Sequence, residues 1–371
     1  MTTESELICI GCGAPIQTEN KDEIGYAPAS SLEKDPVLCR RCFRLKHYGE
    51  VQDVPLNDDD YLKILNRVNE TEALIVKIVD IFDFTGSWLS GIHRFAGENE
   101  VLLVGNKIDL LPKSTNQNRL KQWMQRSAKE LGLKARDVYL ISAQTGEGID
   151  ELAEGIEQYR EGKDVYVVGS TNVGKSTFIN RLLRQFSGED DRFEITTSIF
   201  PGTTLNLIDF PLDDHSVLYD TPGVINRQQI AHLLNKKELK AITPNREIKP
   251  KIYQLDEGQT LFFAGLARLD FVQGGPRSFV CYFSNDLYIH RTRLENADAL
   301  YERQAGELLS PPEKHRETLL PPLIKHDFTI RQDKIDIVFS GLGWVTVQGG
   351  RGTVSAYAPE GVGVSIRESL I

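Results

Sequence analysis

The chain has 371 residues, and its 43 basic and 53 acidic side chains give a formal net charge of −10. At roughly 100–200 residues per domain this length predicts two or three domains, and a hydrophobic content of 40% excludes a fully disordered or fibrous chain. No stretch approaches the ~18–20 apolar residues that span a bilayer, and MTTESELICI has acids where a signal peptide carries basic residues. We therefore expect a cytoplasmic protein without membrane contact.

The charge is unevenly distributed along the chain. Residues 1–50 have a net charge of −2, residues 51–224 of −10 and residues 225–371 of +2. These shifts, with the motifs below, predict three modules with those boundaries. Because nucleic acids prefer basic surfaces, an RNA partner would contact the two flanking modules rather than the acidic middle one.

The first module contains two pairs of cysteines, Cys9 with Cys12 and Cys39 with Cys42, each separated by two residues. Such a turn places two thiolates on one ion, and four thiolates complete a structural zinc site. Two disulfides or a redox pair are the alternatives, of which a cytosolic setting disfavours the first and the doubled motif the second. His47 is an alternative ligand. A module this small needs such a metal to fold.

Basic and aromatic residues alternate around the second pair, in CRRCFRLKHYG at residues 39–49. This pattern suits contact with RNA phosphates and stacking on bases. The alternative is a solvated zinc knuckle in which Phe43 fills the small core. The sequence leaves both interpretations open.

Residues 51–224 alternate between apolar runs and helical patterns. Strands are predicted at residues 73–82, 101–106, 138–143, 165–170, 204–210 and 216–223. Helices are predicted at residues 118–132, 148–162 and 176–186. The pattern predicts an α/β domain with a mostly parallel sheet.

A glycine-rich loop between a predicted strand and a predicted helix fits the pattern GxxxxGK[ST] of a phosphate-binding P-loop. Its backbone N–H groups would surround the β-phosphate, Lys175 would bridge the β- and γ-phosphates, and the Ser176 hydroxyl would bind Mg²⁺. The nucleotide-binding residues predicted here are Gly169, Ser170, Thr171, Asn172, Val173, Gly174, Lys175, Ser176 and Thr177.

Two further motifs suit the γ-phosphate and the metal. In DTPG, at residues 220–223, Asp220 would hold Mg²⁺ through a water while the Gly223 N–H faces the γ-phosphate. In PGTT, at residues 201–204, the Thr204 hydroxyl would reach the metal, with Thr203 as the alternate.

The base would be recognised by NKID at residues 106–109 and SAQTG at residues 142–146. The Asp109 carboxylate can accept hydrogen bonds from guanine N1–H and the 2-amino group, donors that adenine lacks. Asn106 would fix the loop and the N7 edge, and the Lys107 stem would cover the base. After Ser142, the Ala143 N–H would reach O6. GTP, rather than ATP, is the predicted ligand.

These are the five motifs of Ras-like GTPases in a changed order, because NKID and SAQTG precede the P-loop here. With the paired cysteines and the long carboxyl-terminal region, the chain resembles the YqeH family of circularly permuted bacterial GTPases over essentially its whole length. Permutation is tolerated where the ends of a domain lie close together. It makes DTPG lead directly into residues 225–371, so a change at Gly223 would be transmitted to the next domain.

Hydrolysis should be slow, because Val224 and Ile225 replace the water-positioning glutamine that follows DTPG in a Ras-like protein. The resemblance implies that Asn172 binds potassium, which would act in place of an arginine finger. The alternative is that Asn172 only stabilises the loop. The catalytic residues predicted here are Asn172, Lys175, Thr204 and Gly223.

Residues 225–371 change in character. A helix is predicted at residues 226–242, and several β-like runs follow, interrupted by a helix near residues 295–308. This pattern predicts antiparallel β structure with an inserted helix. Cys281, in the apolar run FVCYF, is expected in the core.

In the resembling family this region is similar to the small β-rich subunit of an oligomeric RNA-binding attenuation protein, which implies RNA or protein docking. His290, Arg291 and Arg293 flank Tyr282 and Tyr288 here. The alternative is that these basic residues form only the solvated face of a strand.

The sequence therefore predicts a monomeric GTP-hydrolysing switch that requires Mg²⁺, contains structural zinc and is stimulated by potassium. The resemblance makes its target the maturing small (30S) ribosomal subunit, bound through rRNA. The alternative is a GTP-gated regulatory protein that docks a non-ribosomal protein partner.

Overall fold

The computed structural model describes most of the chain, and its contacts divide it into two units. The first contains Met1–Ile108 and Gln117–Ile225, and the second contains Asp109–Asn116 and Asn226–Ile371. No helix among the described residues is long and apolar enough to cross a membrane. The described residues are 7–9, 14–21, 23, 25–32, 37–48, 55–56, 68–89, 91–92, 96–186, 196–199, 206–221, 223–224 and 226–371.

The amino-terminal part of the first unit has little regular structure. A 3-10 turn, Ala29–Ser31, precedes helix α1, Arg40–Tyr48. Isolated β-bridges join Ile8 to Pro15 and Gln17 to Tyr26. Among the described residues of this segment, Cys9, Ala14, Cys39 and Cys42 form a small buried cluster.

A seven-stranded sheet forms the centre of the first unit, with strand order β4-β3-β2-β5-β8-β7-β6. Strands β2, β3, β4, β5 and β8 pair in parallel, whereas β7 pairs antiparallel with both β6 and β8. The predicted mostly parallel sheet is confirmed. Its strands are β2 (Ala73–Asp80), β3 (Glu100–Asn106), β4 (Asp137–Leu140), β5 (Asp164–Gly169), β6 (Thr196–Ile199), β7 (Asn206–Pro211) and β8 (Val217–Asp220).

Within the described part of this unit, three helices accompany the sheet, and all three lie close to their predicted positions. They are α2 (Gln117–Glu130), α3 (Ile149–Arg160) and α4 (Lys175–Phe186). Apolar side chains of the inner strands and of α3 and α4 form one buried core, because alternate strand residues face the helices. The predicted strand at residues 216–223 is interrupted. Its last part forms β9, Gly223–Val224, which pairs in parallel with β1, Pro55–Leu56.

The second unit contains two antiparallel five-stranded sheets, with strand orders β10-β13-β17-β16-β19 and β14-β11-β12-β18-β15. Their apolar faces share one core cluster that includes Phe263 stacked on Phe283, with ring centroids 4.2 Å apart. The predicted antiparallel β region is confirmed. The strands are β10 (Lys251–Leu255), β11 (Gln259–Phe263), β12 (Ala267–Gln273), β13 (Arg277–Phe283), β14 (Ile289–Arg293), β15 (Leu323–Ile330), β16 (Lys334–Phe339), β17 (Gly343–Gln348), β18 (Gly352–Pro359) and β19 (Val364–Glu368).

The prediction of a single helix at residues 226–242 is wrong. A 3-10 turn, Ile230–Leu233, is followed by helix α5, Lys236–Ile242, and Asn235 separates them. The Asn235 side chain accepts the N–H groups of Lys237 and Glu238 in a capping box, which ends one element and starts the next.

The predicted inserted helix is α6, Leu294–Gln304, shorter than the predicted residues 295–308. A 3-10 turn, Glu317–Leu319, follows it. Cys281 in β13 is buried in the core, as expected, and burial raises the pKa of its thiol.

Candidate nucleotide-binding site

Four predicted site segments follow neighbouring strands at one edge of the first sheet. The register places Asp80 opposite Asn106, Ile78 opposite Gly169 and Val167 opposite Asp220. The carboxyl ends of parallel strands meet at the same edge of a sheet, where α/β proteins bind their ligands. The fold therefore brings the predicted base-binding and phosphate-binding residues together.

The phosphate loop runs from the end of β5 to Lys175, the first residue of α4. Asn172 and Gly174 have positive φ angles of 64° and 87°. A Cβ atom on Gly174 would lie 2.3 Å from Asn106 Nδ2, so this position requires glycine. The loop thus has the tight turn that directs backbone N–H groups toward an anion at a helix start.

Two oppositely charged side chains pair beside this loop. The Lys175 ammonium contacts the Asp220 carboxylate, and both groups are almost fully buried. Ser176, the next residue of α4, is 9% exposed. Lys175, which is predicted to bind the phosphates, and Ser176 and Asp220, which are predicted to bind magnesium, therefore lie at one place.

The DTPG segment packs against the phosphate loop. The Thr171 N–H donates to the Val224 carbonyl at 2.8 Å. A Cβ atom on Gly223 would lie 3.1 Å from Thr171 Cγ2. Thr221 is fully buried, and its hydroxyl donates to the Val167 carbonyl at 2.8 Å. Gly223 thus lies directly beside the phosphate loop, as its predicted role requires.

Asn106 connects three predicted segments. Its Nδ2 donates to the Val173 carbonyl at 2.8 Å, and its Oδ1 accepts the N–H groups of Lys107 at 2.8 Å and Ala143 at 2.9 Å. The predicted role in fixing the loop matches these bonds. One expectation differs from the structure. The Ala143 N–H was expected to reach guanine O6, but it donates a hydrogen bond to Asn106 Oδ1. Contact with O6 requires that N–H to be shared.

Lys107 and Asp109 follow Asn106 in a short turn, Ile108–Leu110. Lys107 has a φ of 71°, and its Nζ lies 2.6 Å from Asp80 Oδ2. Within the described part of the chain, Asp109 Oδ1 is buried without a hydrogen-bond partner. Such an oxygen is costly to bury, and donors from a guanine base would satisfy it.

Sequence reasoning missed two residues that hold the base-binding loops. Arg181 on α4 donates to the carbonyls of Ala143 at 3.3 Å and Gln144 at 2.6 Å. Ser142 Oγ accepts the Thr145 N–H at 3.0 Å within the same loop. The other missed residue is Asp80, the partner of Lys107. Asp80 could have been identified from the sequence because it ends a buried strand. No sequence pattern around Arg181 indicates its role.

Several predicted residues lie outside the described part of the chain. These are Thr203, Thr204, Cys12 and Ile225. Their predicted roles stay predictions.

The described cysteines of the first module form a cluster. The sulfurs of Cys9, Cys39 and Cys42 lie within 4.8 Å of one another, and all three residues are buried. The Cys39 N–H is directed at Cys9 Sγ at 3.2 Å. Three close sulfurs with a backbone N–H directed at one of them fit a tetrahedral thiolate metal site that takes a fourth ligand.

The structure shows where two of the aromatic residues discussed above lie, and it places one of them differently from the prediction. Phe43 is 37% exposed and so does not fill the small core. Tyr282 is 7% exposed and stacks on Trp344 with ring centroids 4.8 Å apart, so it is not available to RNA. Tyr288 is 45% exposed, and its hydroxyl lies 3.2 Å from His290 Nδ1. Tyr282 lies on the face of β13 opposite Cys281 and Phe283, where Trp344 of the paired strand β17 covers it.

Comparison with known proteins decides the family. The chain is 61% identical to YqeH of Bacillus subtilis (strain 168) over 366 residues, which cover 99% of this chain and 100% of the relative. The chain belongs to the YqeH family. A family model described as YqeH-like, C-terminal matches residues 276–370, and one described as 50S ribosome-binding GTPase matches residues 164–258.

More distant relatives are similar over large parts of this YqeH-family chain. NO-associated protein 1, chloroplastic/mitochondrial, of Arabidopsis thaliana is 31% identical, over 92% of the chain and 69% of the relative. GTPase Der of Aquifex aeolicus (strain VF5) is 29% identical, over 46% of the chain and 40% of the relative. The YqeH-family chain is a P-loop GTPase that hydrolyses GTP.

Proposed function

We propose that this GTPase is a switch in the assembly of the small ribosomal subunit and binds rRNA or pre-ribosomal particles through its flanking modules. The observation that carries the proposal is the position of β9. Its residues Gly223 and Val224 pair with β1 on one side and with the phosphate loop on the other. Two residues later the chain enters the second unit, and β1 begins five residues after the predicted end of the first module, so the predicted γ-phosphate sensor is close in the chain to both flanking modules.

The site residues suit water attack on the γ-phosphorus of GTP. Lys175 and the backbone N–H groups of the phosphate loop would stabilise the charge that develops on the phosphate oxygens. Ser176, Thr204 and Asp220 supply the oxygens that Mg²⁺ prefers. When bound, the ion would neutralise phosphate charge. Asp220, which pairs with Lys175 in the structure, would help to hold the ion.

Slow intrinsic turnover follows from the hydrocarbon side chain of Val224, which cannot orient water. Asn172 in its positive-φ conformation is the proposed potassium ligand, and potassium would supply the positive charge that an arginine finger supplies elsewhere. The prediction is a higher rate of phosphate release in K⁺ than in Na⁺. Equal rates in the two salts would discard this role.

A second connection joins the base-binding loop to the carboxyl-terminal domain. Residues Asp109–Asn116 cluster with the second unit. Within that unit the Ile248 N–H donates to the Leu110 carbonyl at 2.9 Å, and the Lys113 N–H donates to Glu247 Oε1 at 2.9 Å. Base and phosphate recognition would therefore both affect elements continuous with the docking domain.

The flanking modules are the proposed docking surfaces. Structural zinc bound by Cys9, Cys12, Cys39 and Cys42 would hold α1, which contains basic residues, in a fixed position. The second unit displays Tyr288 next to basic residues of β14. The resemblance to the YqeH family supports the small subunit as the proposed target, and we propose a cytoplasmic monomer.

The test is the rate of phosphate release by the purified protein with purified ribosomal subunits. We expect the small subunit to increase the rate at least tenfold and the large subunit to leave it near the intrinsic value. Lys175→Ala should abolish both rates, which controls for contaminating GTPases. Stimulation by the large subunit alone, or by neither subunit, would contradict the proposal, and the second result would favour a non-ribosomal partner.

A further inference from the structure

An apolar groove opens on the first unit between helices α3 and α4 and the β7–β8 hairpin. Its volume is about 480 Å³. Its floor consists of side chains that also belong to the buried core, among them Ile156, Ile179, Phe210 and Leu218. Leu212, at the hairpin, is 38% exposed along the groove. A partner can therefore contact the hydrophobic core of the GTPase without unfolding it.

The charged residues that line the groove carry one sign. Of the lining residues that the structure describes, Asp150, Glu154 and Glu157 are charged, and none is basic. Both oxygens of Glu157 accept hydrogen bonds from Arg160, at 2.6 and 2.8 Å, and Arg160 also pairs with Asp213 at 2.8 Å. This nearby arginine is thus shared by two acids, so the rim keeps a net negative charge.

We propose that this groove binds a basic amphipathic segment of a partner protein, with its apolar side in the groove and its basic side chains on the acidic rim. A hydrophobic floor with a charged rim is the usual form of a groove that receives an amphipathic helix. Nucleic acid is disfavoured by the negative rim. A second copy of this chain is disfavoured by its net charge of −10.

The elements that form the groove also carry the GTP site. Ile179 lies one helical turn after Lys175 in α4, and Leu218 lies two residues before Asp220 in β8. A segment bound in the groove thus contacts the far sides of elements whose ends hold the predicted phosphate and metal ligands. The groove gives a basic partner protein a route to the switch that does not require the flanking modules.

The test measures binding of a fluorescent 14-residue amphipathic Leu/Lys helix to the full-length protein by anisotropy. Glu154→Lys changes the rim, and Leu212→Ser removes part of the apolar wall. Glu151→Lys is the matched control, because it makes the same charge change on the same helix while Glu151 pairs with Lys121 at 3.0 Å and does not line the groove. Circular dichroism verifies that each variant folds.

We expect saturable binding by the wild type, a loss of at least tenfold in affinity for Glu154→Lys and Leu212→Ser, and a change below twofold for Glu151→Lys. Equal losses for both lysine variants with no effect of Leu212→Ser would overturn the proposal, because they indicate attraction to the acidic surface in general. Absence of wild-type binding would also overturn it, as would a dimer of the protein alone that Leu212→Ser dissociates.

Discussion

A buried lysine in the central sheet gives a quantitative prediction. Lys77 of β2 is fully buried, and its Nζ has no hydrogen-bond partner among the residues described. The Nζ lies 4.5 Å from the centroid of the Trp88 ring. Burial lowers the pKa of Lys77 from 10.5 to about 7. We predict that Lys77→Met, which keeps the side-chain volume and removes the charge, stabilises the protein at pH 7.

The magnitude follows from the pKa difference. Each unit corresponds to about 1.4 kcal/mol, so keeping Lys77 buried costs about 4 kcal/mol at pH 7 relative to the unfolded chain. Methionine removes this cost, so we expect a gain of up to about 4 kcal/mol at pH 7. Because the folded pKa is lowered, the cost is full below pH 7 and disappears as the pH rises toward 10.5. The gain should therefore fall by about 2 kcal/mol between pH 7 and pH 9.

Urea unfolding monitored by tryptophan fluorescence measures this gain, because Trp88 lies beside Lys77. Lys121→Met is the control, since Lys121 is partly exposed and pairs with Glu151. We expect little pH dependence of its effect over the same range. The reasoning would be refuted if Lys77→Met lowered the free energy of unfolding, by the same amount at pH 7 and at pH 9.

Three further predictions concern the ligand sites. Asp109→Asn should weaken GTP binding and improve binding of xanthosine triphosphate, whose O2 carbonyl matches the new donor; unchanged GTP affinity in a titration would disprove the assignment. Asp80→Ala should raise the dissociation rate of GDP about tenfold, as followed with a fluorescent analogue, but should have no effect in a Lys107→Met background; additive effects would mean that Asp80 does not act through Lys107. Cys42→Ala should lower bound zinc, measured by metal analysis, from one equivalent to near zero, and an unchanged content would exclude the thiolate site.

Four of the five nucleotide motifs were predictable because each is a short pattern at the end of an apolar strand. The sheet brings those ends together whatever the rest of the chain does, so the permuted order of NKID and the P-loop did not hinder the prediction. The zinc motif was also predictable from short patterns, because each pair of cysteines is separated by only two residues. Strand positions were correct to within a few residues because buried parallel strands are continuous apolar runs.

What the sequence did not reveal depends on contacts between distant residues. Arg181 reaches the SAQTG loop only because α4 packs beside it, and the Ala143 N–H is taken by Asn106 across the site. Tyr282 is buried because Trp344 of the paired strand β17 covers it, whereas Tyr288 precedes β14 and is exposed. The break at Asn235 is a different case, because its capping box with Glu238 is a local pattern that was overlooked where the apolar periodicity continues on both sides.

The most direct test of the central claim is a sedimentation profile of the purified protein with purified ribosomal subunits. The account predicts co-sedimentation with the small subunit to an extent that differs between a non-hydrolysable GTP analogue and GDP. Protein that stays at the top of the gradient with both nucleotides, or that moves with the large subunit, would contradict it.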